Sequence, residues 1–157
     1  MSDPGIDLYT EFYALTDALS AANVPYAVCG GVAVAIHGYP RFTRGIDLLI
    51  LPEDERRALD VAAQRQFVFE GGRLPMGQGI RSDWEIVRVS KVSGRDLLPL
   101  DFLLVGPSIQ TVWDSRGIAV FHERQIPVVS REGLKHLKLI AGRKQDLLDL
   151  EQLGLEP

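Results

Sequence analysis

Residues 26–51 read YAVCGGVAVAIHGYPRFTRGIDLLIL. The apolar run at 26–29 predicts a short buried strand, stopped by Gly30 and Gly31. Residues 31–37 are small and apolar and predict a short helix, closed by Gly38 and then Pro40. Residues 46–51 predict a second strand, ended by Pro52. Asp47 stands inside that apolar run, and a lone carboxylate in such a strand is costly unless something pairs it. A divalent cation is one such partner. A diglycine turn opening a helix lets a phosphate approach the backbone, although Gly30-Gly31 taken alone is simply a turn.

Outward from this segment the pattern is mixed. Residues 6–23 carry Leu8, Phe12, Leu15 and Leu19 at helical steps, and Asn23 and Pro25 end the helix. Residues 53–66 predict a surface helix with Leu59 and Ala63 inward, and residues 67–69 a short strand. Residues 71–79 hold four glycines and a proline and predict a loop. Strands are expected at 84–92 and 97–105, the second interrupted by Pro99 and Asp101. A short helix near 107–115 and brief strands at 118–121 and 126–129 follow. Ser130 is a good N-cap for a last helical region with Leu134, Leu137 and Ala141 inward. After a break near Gly142, Leu147, Leu150 and Leu153 continue that stripe. The expectation is one α/β (α+β) domain over residues 1–157: a small mixed sheet, flanking helices and C-terminal helices.

The composition narrows the function classes. With 46% hydrophobic and 24% charged residues the chain can fold around a core. Seventeen Lys and Arg against 21 Asp and Glu give a formal charge of -4, which argues against a protein that coats nucleic acid and leaves room for a local basic pocket. The single cysteine, Cys29, allows no intrachain disulfide and reads as a small buried residue. No secretory leader and no apolar run of membrane-spanning length stands out, so a cytoplasmic location is expected.

At this point the sequence resembles the nucleotidyltransferase superfamily, with its polymerase beta-like fold. The likeness is to the small bacterial branch of AbiEii-like and antibiotic-modifying nucleotidyltransferases. That branch often reads Gly-Gly, a small apolar helix, His-Gly, then Arg-x-Thr-x-Asp-x-Asp. Here Gly30, Gly31, His37, Gly38, Arg41, Thr43 and Asp47 fall in register. A third acid on a later strand matches Asp101 in LPLDFLLV, and LKLIAGRKQDLLDL supplies Lys138, Arg143 and Asp146.

The resemblance implies transfer of a nucleotidyl group from an NTP to an acceptor hydroxyl, assisted by Mg2+. Asp47 and Asp101 would be the catalytic and metal-binding acids. Gly30, Gly31, Arg41, Thr43 and Lys138 would bind nucleotide, with His37, Arg44, Arg143 and Asp146 as accessory residues. The acceptor would be a small hydroxylated compound, a protein or a tRNA end. A homodimer or an antitoxin-like mate is the implied protein partner.

One departure bears on all of this. The superfamily's first strand aspartate falls at Gly45, which has no side chain to ligate. Alternate strand residues share a face, so positions 45 and 47 both point to the site. The chain is then a degenerate relative, or carries an inactivating change, or is rescued by Asp83 or Glu85. A non-catalytic nucleotide- or partner-binding protein is the alternative function. Plainer readings stand beside the sharp ones: Arg41 and Arg44 as solvated loop residues, Lys138 snorkelling past the core, and His37 at a helix end. Asp146 and Asp149 read equally as surface acids, and Trp84, Trp113 and Phe102 as core.

Overall fold

The computed structural model describes residues 5–75 and 84–155. Helix α1 (Leu8–Ala21) starts where the Asp7 carboxylate accepts from the Thr10 backbone N–H at 2.9 Å, and it buries Phe12, Leu15 and Leu19. Strand β1 (Ala27–Cys29) leads directly into α2 (Gly30–Ile36), and β2 (Ile46–Ile50) follows the arginine-bearing loop. A 3-10 turn at Pro52–Asp54 opens α3 (Glu55–Gln64). Strands β3 (Phe69–Pro75), β4 (Glu85–Ser93) and β5 (Asp96–Leu104) come next, then a second 3-10 turn, Pro107–Ile109, and α4 (Gln110–Asp114). Strands β6 (Gly117–Phe121) and β7 (Arg124–Val128) precede α5 (Arg131–Ala141) and α6 (Lys144–Leu153).

The seven strands form one mixed sheet in the order β3-β4-β5-β2-β1-β7-β6. Strand β2 pairs parallel to β5, and β1 parallel to β7; the other neighbours are antiparallel. Strand β2 is therefore central, with both faces covered, which is why it reads as a near-continuous apolar run. Ile46, Leu48, Leu49 and Ile50 are buried, and Asp47 alone keeps a partial opening. Trp84, Trp113, Phe102 and Cys29 join the core, as expected.

In α3 the buried residues are Ala58, Val61 and Ala62, whereas Ala63, expected inward, is exposed. Three further expectations need correction. The strand expected at 67–69 instead starts at Phe69 and runs through Pro75, so Gly71 and Gly72 are strand residues and not loop. A bulge between Glu70 and Gly72 absorbs the extra residue, which is how glycines enter an antiparallel edge. Residues 76–79 of the expected loop lie outside the described residues, as does Asp83. Second, β5 is continuous through Pro99 and Asp101. Third, Leu147 is 47% exposed, so it does not continue the inner stripe. The break itself is as expected, because Gly142 caps α5 in the left-handed region at φ 63°. Among the described residues no helix is long and apolar enough to cross a membrane.

Candidate active site

Asp47 and Asp101 are direct partners in the parallel pairing of β2 with β5. Equal register on adjacent strands points both side chains to one face of the sheet. There they line a cleft of about 1080 Å³ with Gly30, Gly31, Thr43 and Gly45. Five cations line it too: Arg41, Arg44, Arg88, Lys138 and Arg143. The cleft lies between the sheet and the C-terminal helices, because Leu134, Leu137 and Asp146 of α5 and α6 form its other wall. Its size is ample for a nucleotide-sized ligand.

The diglycine bend is explained first by the protein's own packing. Gly30 has φ +65°, and a Cβ built on it would stand 2.1 Å from Asp47 Oδ2. On Gly31 a Cβ would stand 2.4 Å from Thr43 Oγ1 and 3.4 Å from an Arg41 terminal nitrogen. Both glycines therefore exist here to admit Asp47 and Thr43 at close range. Helix α2 begins at Gly30, one residue before the expected start, and the side chain of its cap residue Cys29 makes no capping hydrogen bond.

Gly45 is held as tightly. A Cβ on it would lie 2.8 Å from the backbone oxygen of Pro99, its neighbour on β5. The space a side chain needs at position 45 is thus taken by the adjoining strand.

Asp101 is engaged by Arg88, a residue that no sequence motif singles out. Arg88 of β4 faces Asp101 across the antiparallel pair and donates twice, Nε to Oδ1 at 2.7 Å and Nη2 to Oδ2 at 2.9 Å. The Arg88 stem crosses Gly71, where a Cβ would come within 2.7 Å of Arg88 Cγ. Glu85, expected as a possible substitute acid, does not face the cleft. It lies three residues along β4 from Arg88, hence on the opposite face, and binds Arg73 at 2.9 Å, which also holds Glu55 at 2.5 Å.

The acids of α6 depart further from expectation. Asp146 and Asp149 are 1% and 0% exposed, which overturns their reading as surface acids. Lys138, 4% exposed on α5, sits between them with Nζ 3.0 Å from Asp146 Oδ1 and 3.0 Å from Asp149 Oδ2. Arg143 donates Nε to Asp146 Oδ2 at 2.7 Å. Arg41 grips Asp149 with both Nε (2.7 Å) and Nη2 (2.8 Å), and Gln145 adds a bond at 2.8 Å. Burial alone would raise both carboxyls; hydrogen bonds from Arg143 and Lys138 to Asp146, and from Arg41, Lys138 and Gln145 to Asp149, hold them below the usual carboxylate range.

Asp47 is different. Burial, then the nearby Asp101 charge, raises its carboxyl to about 7, against the pull of Lys138, Arg143 and Arg88. Arg44 is exposed at the mouth and makes no ion pair among the described residues. His37 lies away from the cleft lining. It caps the end of α2, and its Nε2 stands 2.8 Å from the Val129 carbonyl oxygen, an attachment of helix to strand end.

A two-metal acid set does not fit these residues. Position 45 offers no oxygen and is blocked by Pro99, and both oxygens of Asp101 face a guanidinium. Asp146 and Asp149 are spent on Lys138, Arg143 and Arg41. Among the described residues no group of three or more His, Cys, Asp or Glu side chains could hold a metal ion.

No protein-family model matches the chain, and no curated protein matches it. Solved structures do. The Thermotoga maritima protein TM1012, a candidate nucleotidyltransferase, has a TM-score of 0.60 at 14% identity, covering 92% of this chain and 90% of that one. The lincosamide antibiotic adenylyltransferase LnuA, solved with lincomycin bound, has a TM-score of 0.60 at 16% identity, covering 92% and 95%. The antibiotic-resistance factor ANT(2'')-Ia has a TM-score of 0.54 at 18% identity, covering 80% and 66%. At these identities the likeness is one of fold, and the fold is that of the nucleotidyltransferases.

Proposed function

We propose that this chain, with its nucleotidyltransferase fold, binds the polyphosphate of a nucleoside triphosphate in the β2–β5 cleft and does not transfer the nucleotidyl group by a two-metal route. The observation that carries the reading is the cleft lining: five cationic side chains around the paired strands that hold Asp47 and Asp101. Oriented guanidinium and ammonium groups match phosphate oxygens in charge and hydrogen-bond geometry. Arg44, Arg88 and Arg143 keep side-chain surface in the cleft, whereas Arg41 and Lys138 act through the buried acids that they hold. Thr43 and the Gly30–Gly31 bend shape the floor beneath them.

A second reading keeps the transfer reaction, with a small hydroxylated compound as acceptor. It is favoured by the register match of Asp47 and Asp101 and by the presence of the lincosamide antibiotic adenylyltransferase LnuA among the structural neighbours. One experiment separates the two. The purified chain is titrated calorimetrically with ATP, GTP, CTP and UTP, and pyrophosphate release is followed in the same samples with a lincosamide acceptor present. Saturable binding without pyrophosphate supports the proposal, binding with stoichiometric pyrophosphate supports the second reading, and no binding of any nucleotide ends both.

A further inference from the structure

The position of Arg88 says how that nucleotide is held. Resting on the nucleotide-binding reading above, we infer that the cleft takes a nucleoside triphosphate as the free polyanion, without a divalent cation, and that the Arg88 guanidinium is the fixed cation beside the acids.

Three features of the backbone and packing place that guanidinium. Arg88 and Asp101 are register partners on β4 and β5, so the pair forms across one rung of the ladder. Both bonds of the fork are made, at 2.7 and 2.9 Å, which fixes the plane of the group as well as its position. The aliphatic stem lies over Gly71 at the β3 bulge, where no other residue would leave it room. The group is built in by its neighbours on both adjoining strands.

A guanidinium has five N–H donors, and Asp101 takes the Nε donor and one Nη2 donor. The Arg88 side chain is 41% exposed and lines the cleft, so the remaining donors are open to an anion there. Arg143, with 71% of its side chain exposed, and Arg44 at the mouth add two more guanidinia on the same lining. A divalent cation fares worse in this place. Its oxygens would have to come from Asp47 with no help from position 45, on the strand beside the one whose Asp101 already holds the permanent positive charge of Arg88. Repulsion from that guanidinium raises the cost of seating a second cation on Asp47, and the arginine is covalently attached. The ligand class that follows is a nucleotide carrying its full phosphate charge, and Mg2+ that chelates the phosphates removes charge the arginines would otherwise meet.

The test is calorimetric titration of the full chain with ATP, once in EDTA and once with millimolar MgCl2. The expected result is a Kd in EDTA equal to or smaller than that in MgCl2. Arg88→Ala is expected to weaken binding in EDTA at least tenfold. Arg88→Lys, which keeps charge but loses the fork, should lie between, with thermal melts of both variants confirming the fold. If only Arg88→Lys is folded, a threefold or larger loss in EDTA is the supporting result. A wild-type Kd at least tenfold tighter with Mg2+ would overturn the inference while leaving the nucleotide reading standing. Unchanged EDTA binding in the folded variants would overturn it too. Absence of ATP binding in either buffer would remove the nucleotide reading, and this inference with it.

Discussion

The backbone oxygen of Pro99 lies 2.8 Å from where a Cβ on Gly45 would stand. Real Cβ atoms do not come that close to a carbonyl, so strand β5 has settled against a glycine. An aspartate at position 45, where the resemblance leads one to expect an acid, would therefore need more than a side chain: the adjoining strand occupies its place. Gly45→Ala isolates this steric effect from any charge effect, and overpacking of this kind costs about 1–3 kcal/mol. Gly45→Asp is expected to lose at least as much stability in urea unfolding and to release no pyrophosphate. A Gly45→Asp protein as stable as its parent that turns over NTP would show that the gap is an open ligand position.

Asp47 makes stability depend on pH. Its carboxyl titrates near 7 in the fold against an ordinary value of 3.8, so between those values the folded chain holds a proton that the unfolded chain has released. Where the native state binds more protons, stability falls as pH rises. The loss runs from about pH 4 to pH 7, and a carboxyl displaced that far accounts for at most about 4 kcal/mol. Asp47→Asn removes the charge at constant shape. Its stability should exceed the parent's at pH 8 by about 1–4 kcal/mol, with the difference closing by about pH 4. Parallel stability curves across that range would mean that the carboxylate ionises freely in the fold.

Lys138 ties the two C-terminal helices to each other and, through Asp149, to Arg41 on the loop before β2. Removing one partner from a buried ion network strands the others, which costs about 3–5 kcal/mol. Lys138→Met keeps the stem volume and deletes only the charge. It should destabilise the chain by that amount and speed amide exchange in α6 before the sheet opens. A loss under about 1 kcal/mol would mean that Asp146 and Asp149 reach water and that the network is not a joint.

The element order is legible from periodicity because the core helices and the central strands carry near-continuous apolar patterns. Asp47 is legible as a site residue because it breaks such a pattern in β2. Arg88 is not, since its partner is set by the register of β4 on β5, which no local pattern encodes. Gly71 and Gly72 read as loop because a bulge hides the period of two. For α6 the signal is present in the sequence but outweighed by its leucines. Asp146, Asp149, Leu150 and Leu153 occupy the inward stripe at steps of three, one and three, and Lys138 lies beside Leu134 and Leu137 on the inward face of α5. Charges of opposite sign on the inner faces of adjacent helices announce a buried pair, and they outrank the leucine at 147.

Gly71 provides a remote handle on Asp101. It touches Arg88 along the stem, where a Cβ would sit 2.7 Å from Cγ and 2.9 Å from both Cβ and Cδ. Those atoms are near the backbone and cannot swing clear as a side-chain tip could. Gly71→Ala should therefore push the guanidinium off Asp101 and change the bidentate geometry without altering any charge in the cleft. The expected stability loss is modest, about 1 kcal/mol, because the pair is partly exposed. The effect on ligand binding should be larger than that loss, and opposite in character to a salt effect: weaker ATP binding in EDTA at every ionic strength, with the same salt slope as the parent. A reduced slope would mean that a phosphate contact had been deleted. Equal affinity at all salt concentrations would mean that the arginine finds its place without the glycine beneath it.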